Sequence, residues 1–140
     1  MQNLLNDLLV VLAYGVVGTV LMAIGYVLVD VATPGRLNEL IWTHRNRNAA
    51  VLLASNLLGV GTIVVAAIVA SSHDFVLGII GASAYGLLGL VIMSVSFLLL
   101  DAATPGKLGA ILVDPEPHPA VWVSATVHLA VGAIVAAAII

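Results

Sequence analysis

Two aspartates, Asp30 and Asp101, head the same motif, Asp-x-x-Thr-Pro-Gly followed by a cation. Each carboxylate stands at the end of a long apolar run, where it can cap the backbone N–H groups of a following helix. Alternatively, two equivalent carboxylates can face a common axis and bind a cation or form a polar gate, or the two sites can dock a partner. Capping is favoured because a carboxylate at a helix C-terminus meets the negative end of the helix dipole unless it turns forward to the next helix.

The rest of the motif predicts a break between two helices. Proline disfavours helix at the residue before it and suits the first position of a new helix, and threonine is a good N-cap. The first helix should therefore end near Val31 and a short helix should start at Thr33 or Pro34. The same structural role falls to the remaining motif residues, which are Gly35, Thr104, Pro105 and Gly106.

The short helix expected over residues 34–42 has an apolar side formed by Leu37, Leu40, Ile41 and Trp42. Polar residues lie opposite, so this segment should lie in the membrane interface, with Trp42 as an aromatic anchor. In the second copy the polar side is reduced, and the three prolines of residues 114–119 should end the helix.

Asn56 and His128 are polar residues inside apolar runs, at nearly matching positions of the two copies. Hydrogen bonding between packed helices is one interpretation, and an ion or proton relay that uses His128 with Asp101 is the other. The chain has no cysteine, which excludes a thiol nucleophile and a disulfide framework. We identify no catalytic residues and no metal site, because a lone histidine without paired intramembrane carboxylates is a thin basis for catalysis.

The elements that position these residues are duplicated. Residues 13–69 and 84–140 align at a constant offset of 71 without a gap, and counting pairs from Ala13/Ala84 to Val69/Ile140 gives 23 identities in 57 positions. We therefore divide one membrane domain into two units, residues 1–71 and 72–140. Small residues recur in matching rows, Gly15 and Gly18 against Gly86 and Gly89, and mark helix contacts inside one chain or between chains.

Composition determines what each unit is. Apolar residues make up 62% of the chain and charged residues 8%, and the mean hydropathy is +1.22. Four uncharged apolar runs, at about 8–29, 49–70, 75–100 and 119–140, are each long enough to cross a bilayer. The fold class is therefore an all-α integral membrane protein with four transmembrane helices, arranged as two parallel two-helix repeats with short interfacial helices after spans one and three.

The four cations predict the orientation. Arg36, Arg45, Arg47 and Lys107 are all the lysines and arginines of the chain, and they lie in the linkers after spans one and three. The positive-inside rule places these linkers, residues 31–48 and 101–118, in the cytoplasm and both termini outside. The same residues are candidate anchoring or docking groups. So few basic residues next to a membrane make nucleic-acid binding improbable.

The doubled Asp-x-x-Thr-Pro block, together with residues 46–50 that open the second span, resembles a known group. The chain is similar to the bacterial inner-membrane family catalogued as domain of unknown function 350, whose members carry two copies of a two-helix unit with this motif. The resemblance covers nearly the whole chain. It implies four transmembrane helices in a bacterial cytoplasmic membrane, no established biochemical activity, and an accessory role, since genes of such members often lie near those of envelope-stress or peptide-ligase-like proteins.

These observations leave two functions open and disfavour a third. The first is an accessory subunit of the cell envelope that assembles with itself or binds a cytoplasmic or membrane protein. The alternative is an oligomeric ion channel or transporter that uses Asp30 and Asp101, with Asn56 and His128 along the path. An intramembrane enzyme is not expected, and neither is a cofactor. The expected partners are the lipid bilayer, further copies of the chain, and a protein partner.

Overall fold

The computed structural model describes residues 2–71, 74–106 and 108–140 and is almost entirely helical. Five α-helices follow each other along the chain: α1 Gln2–Ala32, α2 Arg47–Val69, α3 Phe75–Ala103, α4 Leu108–Val113 and α5 Pro119–Ile139. A short π-helical turn, Glu39–Thr43, lies between α1 and α2. Four helices, α1, α2, α3 and α5, are long and apolar enough to cross a membrane. The predicted all-α membrane fold with four spans is therefore confirmed.

Both linkers lie at the same end of the helix bundle, which we call the linker end. Residues 33–46 join α1 to α2 there, and residues 104–118 with α4 join α3 to α5. Pro34 of the first linker packs so closely on Gly109 of α4 that a Cβ atom on this glycine would lie 2.7 Å from the proline Cδ. Consequently α1 and α3 run towards the linker end, and α2 and α5 run away from it.

The second span, α2, is the centre of the bundle. It buries 56% of its most apolar stretch inside the protein, whereas α1 buries 11%. α2 packs on α5, α3 and α1, and α3 also packs on α1 and α5. In a bilayer the outward faces of α1 and α3 contact lipid, so their exposed leucines and valines carry no penalty there.

Two apolar clusters fill the interior, one in each half of the bundle. The cluster near the linker end includes Leu37, Leu52, Phe97, Leu112 and Val121. The cluster in the other half is built from α1, α2, α3 and α5, with Leu21, Ile63, Leu90, Met93 and Val135 among its members.

Between these clusters α2 and α5 touch backbone to backbone. A Cβ atom on Gly132 would lie 2.7 Å from the Cα atom and 2.9 Å from the carbonyl oxygen of Gly59. Only residues without a side chain permit such an approach of two helices.

The first linker differs from the expected amphipathic helix over residues 34–42. Leu37 is fully buried and Leu40 nearly so, as expected, but Trp42 is 73% exposed instead of sharing their side. The reason is the spacing: Trp42 lies two residues after Leu40, and residues two apart face different sides of a helical turn. In the second linker α4 ends at Val113, before Pro115, as the prolines predict.

Candidate functional site

The duplicated motif forms a tight reversal at the end of α1, in which the threonine and the glycine have separate roles. The Thr33 hydroxyl donates to the Val29 carbonyl oxygen at 2.8 Å, and the Thr104 hydroxyl donates to Leu100 at 2.7 Å. Gly35 and Gly106 follow with φ angles of 96° and 94°, the left-handed conformation that glycine adopts without strain. The turn is therefore built twice, from the same residues.

Asp30 caps the helical turn after this reversal. Its Oδ1 accepts a hydrogen bond of 2.7 Å from the backbone N–H of Leu37, which is the capping contact considered from the sequence. The predicted start of the short helix at Thr33 or Pro34 was wrong. Thr33 bonds backwards to α1, and the left-handed Gly35 delays the next helical turn to Leu37.

Asp101, in the second copy, faces the first linker. It borders a small cavity of about 300 Å³ together with Ala32, Pro34, Gly106 and Gly109. The two copies of the motif therefore meet at the linker end, Pro34 of one against α4 of the other.

Two asparagines that sequence reasoning did not single out as site residues join the two linkers. Asn46 Nδ2 donates to the carbonyl oxygens of Leu112 at 2.8 Å and Asp114 at 3.0 Å, while its Oδ1 caps α2 by accepting from Ala49 N. Asn46 thus bonds to carbonyls at the end of α4 and begins α2 with the same side chain. It is buried, so these bonds are shielded from water.

Asn48 makes a second set of bonds to the same linker. Its Nδ2 donates to the carbonyl oxygen of Glu116 at 2.7 Å and lies 3.1 Å from that of Asp114, and its Oδ1 accepts from His118 N at 3.1 Å. The repeat partners of Asn46 and Asn48 are Pro117 and Pro119. Neither asparagine is repeated in the second unit, so the duplication does not mark them. The sequence feature that could have indicated them is their position at the start of α2, where Asn46 is the N-cap.

The cations of the first linker point outwards. Arg36, Arg45 and Arg47 are exposed, as is Trp42. Arg45 has a φ of 53°, the left-handed conformation, next to the buried Asn46. Lys107, the fourth predicted cation, lies outside the described residues.

Asn56, deeper in the bundle, holds α1 to α2. It is buried, and its Nδ2 donates to the carbonyl oxygen of Gly25 at 3.4 Å, a long hydrogen bond. Asn56 also borders a cavity of about 270 Å³ between α1, α2 and α3, whose walls include Met93, Ser94 and Phe97.

His128 of α5 lies against Phe97. It is 1% exposed, and its ring stacks on that of Phe97, with 5.7 Å between the centroids and 19° between the planes. Its Nδ1 has no hydrogen-bond partner among the residues that the structure describes. Phe97 thus contacts His128 and, like Asn56, borders the cavity.

Comparisons with known proteins agree with this architecture. A family model described as Domain of Unknown Function (DUF350) matches residues 3–139. A UPF0719 transmembrane protein of Mycobacterium bovis is 34% identical over 136 residues, which cover 97% of this chain and 90% of the relative. Another, from Mycolicibacterium paratuberculosis, is 29% identical over 139 residues, covering 99% and 92%. No solved structure matches. Since the family model covers nearly the whole chain, the protein belongs to the DUF350 family of membrane proteins.

Proposed function

We propose that this protein is a non-catalytic accessory subunit of the bacterial cytoplasmic membrane, which assembles with itself or with a partner and presents both linkers to the cytoplasm. The observation that carries the proposal is the bonding of the two linkers to each other by Asn46 and Asn48. This bonding makes one preformed surface out of two chain segments, and a preformed surface loses less entropy when a partner binds.

The outward side of this surface has the composition of a binding site. Arg36, Arg45, Arg47 and Trp42 are exposed there, while Leu37 and Leu40 anchor the same segment in the interior. Arginine and tryptophan are enriched in protein interfaces, where they supply both apolar area and directed hydrogen bonds. A partner with an acidic surface suits these three arginines.

The polar groups at the linker end and inside the bundle support a structural role over a reaction. Asp30, Thr33, Asn46 and Asn56 each bond a backbone group of this chain. Side chains engaged in this way hold helices and turns in place.

The test changes only the outward side chains. The variant carries Arg36→Gln, Trp42→Ser, Arg45→Gly and Arg47→Gln, and it keeps Leu37, Leu40 and both asparagines. Glycine suits the left-handed backbone at position 45. Tagged wild-type and variant proteins are expressed at matched levels, cross-linked in cells and purified, and the bound proteins are quantified by mass spectrometry. We expect the variant to lose the partners that the wild type retains. Asn38→Cys, placed in the variant, should be labelled by an impermeant thiol reagent as in the wild type, which shows that the linkers have kept their side of the membrane.

A control variant carries Asp7→Asn and Thr62→Ala, two exposed positions away from the linkers. It should bind partners as the wild type does. Equal partner recovery by all three proteins would contradict the proposal.

A further inference from the structure

The cavity of about 270 Å³ between α1, α2 and α3 lies in the half of the bundle next to the linkers. Its inner end is the point where α1 meets α2 and α3, since a Cβ atom on Gly25 would lie 3.2 Å from Val60 and 3.3 Å from Leu90. From there the cavity continues towards the linker end, along residues 25–32 of α1 and 90–98 of α3. We call it the α1–α3 cavity.

The α1–α3 cavity is reached from the lipid. Three of its lining residues are exposed on the surface of the bundle, Val31 to 80%, Leu98 to 62% and Leu28 to 39%. In a bilayer, exposed side chains of the spans contact hydrocarbon. A molecule dissolved in the bilayer can therefore enter between α1 and α3 without crossing water.

The walls are apolar except for two side chains at the same depth. Asn56 lies nine residues after Arg47, the first residue of α2, and Ser94 lies nine residues before Ala103, the last residue of α3. At 1.5 Å per residue each is about 14 Å from the linker end of its helix. In a hydrocarbon core of roughly 30 Å, both polar groups are close to the middle of the membrane.

Asn56 has hydrogen-bonding capacity that the protein does not use. The side chain is 6% exposed, and one N–H of its Nδ2 points at the Gly25 carbonyl oxygen, 3.4 Å away. Its other N–H and its Oδ1 have no hydrogen-bond partner among the described residues. An unpaired amide away from water is unfavourable, so a molecule that pairs with it gains more than apolar contact.

The remaining walls suit a flat ring with oxygen substituents. The Ser94 hydroxyl donates to the Leu90 carbonyl oxygen at 2.8 Å, so it can accept one further hydrogen bond. Phe97 and Met93 border the cavity, and the Phe97 ring is held by stacking on His128. Aromatic and thioether groups pack well on aromatic rings. An apolar cavity with few polar groups at defined positions is typical of a small-molecule site.

We propose that the α1–α3 cavity binds the ring of a prenylated quinone or quinol from the bilayer. A quinone carbonyl accepts from the free N–H of Asn56, and a quinol hydroxyl donates to Oδ1 of the same side chain. The isoprenoid tail leaves the cavity past Val31 and Leu98 into the lipid. This binding is a function beyond the proposed partner docking, and it does not depend on it.

The size of the α1–α3 cavity fits such a ring. A dry apolar cavity of roughly 150 Å³ holds a benzene molecule. The α1–α3 cavity, at about 270 Å³, therefore has room for a substituted ring or two fused rings.

Other components of the bilayer match the α1–α3 cavity less well. A phospholipid head group is charged and stays at the membrane surface, because a charge near the middle of the hydrocarbon is costly. An acyl chain reaches the depth of Asn56 but carries no hydrogen-bonding group, so it would leave the amide unpaired. A quinone is neutral and carries its polar group on an apolar body, which satisfies both requirements.

The first test locates the ring by photolabelling. The full chain in lipid nanodiscs is illuminated with a prenylated methylnaphthoquinone that carries an azide on its tail, next to the ring, and the adducts are mapped by mass spectrometry. We expect labelling at residues 25–32 and 90–98, which an excess of the azide-free quinone suppresses. Labelling that does not saturate, or that falls outside these two segments, would overturn the proposal.

A matched ligand tests the hydrogen bonds. Prenylated methylnaphthalene has the same ring and tail without the two oxygens. We expect it to suppress the labelling only at a concentration higher on the order of tenfold or more, because it leaves the Asn56 amide unpaired. Equal suppression by both compounds would mean that the cavity accepts any apolar molecule, and the assignment to a quinone would be wrong.

Ser94→Leu fills the α1–α3 cavity, and Ser83→Leu is its control. Ser83 lies on the same helix, is half-buried like Ser94, and donates to the carbonyl oxygen four residues before it at 2.7 Å, but it does not border the cavity. Both variants should retain the circular dichroism of the wild type. We expect Ser94→Leu to bind the quinone on the order of tenfold more weakly and Ser83→Leu to bind it as the wild type does. Equal affinities of the two variants would contradict the site.

Asn56→Leu separates recognition of the ring from support of the helices. Loss of the bond to Gly25 alone would change the affinities for the quinone and for the methylnaphthalene by the same factor. Recognition by the amide predicts that only the quinone loses affinity, so that the two compounds compete equally in this variant. A preference for the quinone that persists in Asn56→Leu would show that Asn56 does not bind the ring.

Discussion

At the scale of single residues, the duplicated motif shows how one short sequence serves two helices. Thr33 ends the first helix by bonding backwards, Gly35 reverses the chain, and Asp30 begins the next helical turn by accepting from Leu37. The aspartate thus stands before the turn in sequence but acts after it. Its position at the end of α1 is tolerated because the carboxylate points forward to free N–H groups.

Substitution of Asp30 separates capping from a charge-dependent role. Asp30→Asn keeps an oxygen that can accept from Leu37 but removes the charge, so we expect a free energy of unfolding within about 0.5 kcal/mol of the wild type. Asp30→Ala removes the acceptor and should cost about 1 kcal/mol. Unfolding in detergent, followed by circular dichroism, measures both. Equal losses in the two variants would contradict capping, and cation flux in liposomes that both variants abolish would indicate a polar gate.

Asn46 allows a second prediction at the residue scale. Asn46→Ala removes two bonds to the second linker and the cap of α2, and it leaves the Leu112 carbonyl oxygen without its side-chain donor. We expect a loss of about 2 to 4 kcal/mol in the free energy of unfolding. Asn38→Ala is the matched control, since Asn38 is exposed and makes no side-chain cap. A similar small effect of both substitutions would show that Asn46 does not hold the linkers together.

The sequence predicts the role of Asp30 but not the roles of Asn46 and Asn48, and the difference has a physical reason. Asp30 could be predicted as a cap because capping depends on local geometry, which the Thr-Pro-Gly turn determines. Asn46 and Asn48 could not, because their acceptors are backbone carbonyls 63 to 68 positions further along the chain. Every residue has such a carbonyl, so no residue type in the second linker marks it as the partner.

At the scale of helices, apolar run length predicted the four spans because length and hydropathy suffice to define a transmembrane helix. It did not predict that α2 is the central helix, since all four runs are similarly apolar. Burial of α2 depends on small residues at specific contacts, above all Gly59 against Gly132 of α5. The π-helical turn was also missed, because nothing in the periodicity of residues 34–42 distinguishes it from an α-helix.

Gly132→Ala tests the contact between α2 and α5. The new Cβ would lie under 3 Å from backbone atoms of Gly59, so the helices must separate, at a cost of about 1 to 3 kcal/mol. Gly81→Ala is the control, because its Cβ would meet only the edge of Tyr85, at 4.0 Å. The free energies of unfolding of both variants are measured in the same detergent, and we expect the lower value for Gly132→Ala. A Gly132→Ala protein as stable as the control would show that the helices are further apart than described.

At the scale of the whole molecule, the duplication produces two units that share the same helices and turns but pack against different neighbours. The first unit covers the second along α3 and α5, while the equivalent face of the first unit, between α1 and α2, forms an open groove. Sequence identity between the units therefore predicts the shared turns and helices but not which surfaces are buried. Burial depends on how the two units pack on each other, and identity between the units does not determine that packing.

The orientation that the cations predict can be measured with single cysteines. Asn38→Cys lies in the first linker and Ala70→Cys at the opposite end, and both positions are exposed. We expect a membrane-impermeant thiol reagent to label Ala70→Cys in intact cells and Asn38→Cys only after the membrane is opened, because loops that carry arginine stay inside. Labelling in the reverse order would place the linkers outside the cell.

The backbone contact between Gly59 and Gly132 also determines how the two long units can move against each other. α2 packs on α5 more extensively than on any other described helix, and the glycine pair is a point of backbone contact, so sliding one helix along the other would bring larger neighbouring residues into this gap. The contact lies between the two apolar clusters. The glycine pair therefore fixes the register of α2 against α5 in the middle of the bundle, and with it the position of the linker segments that precede both helices.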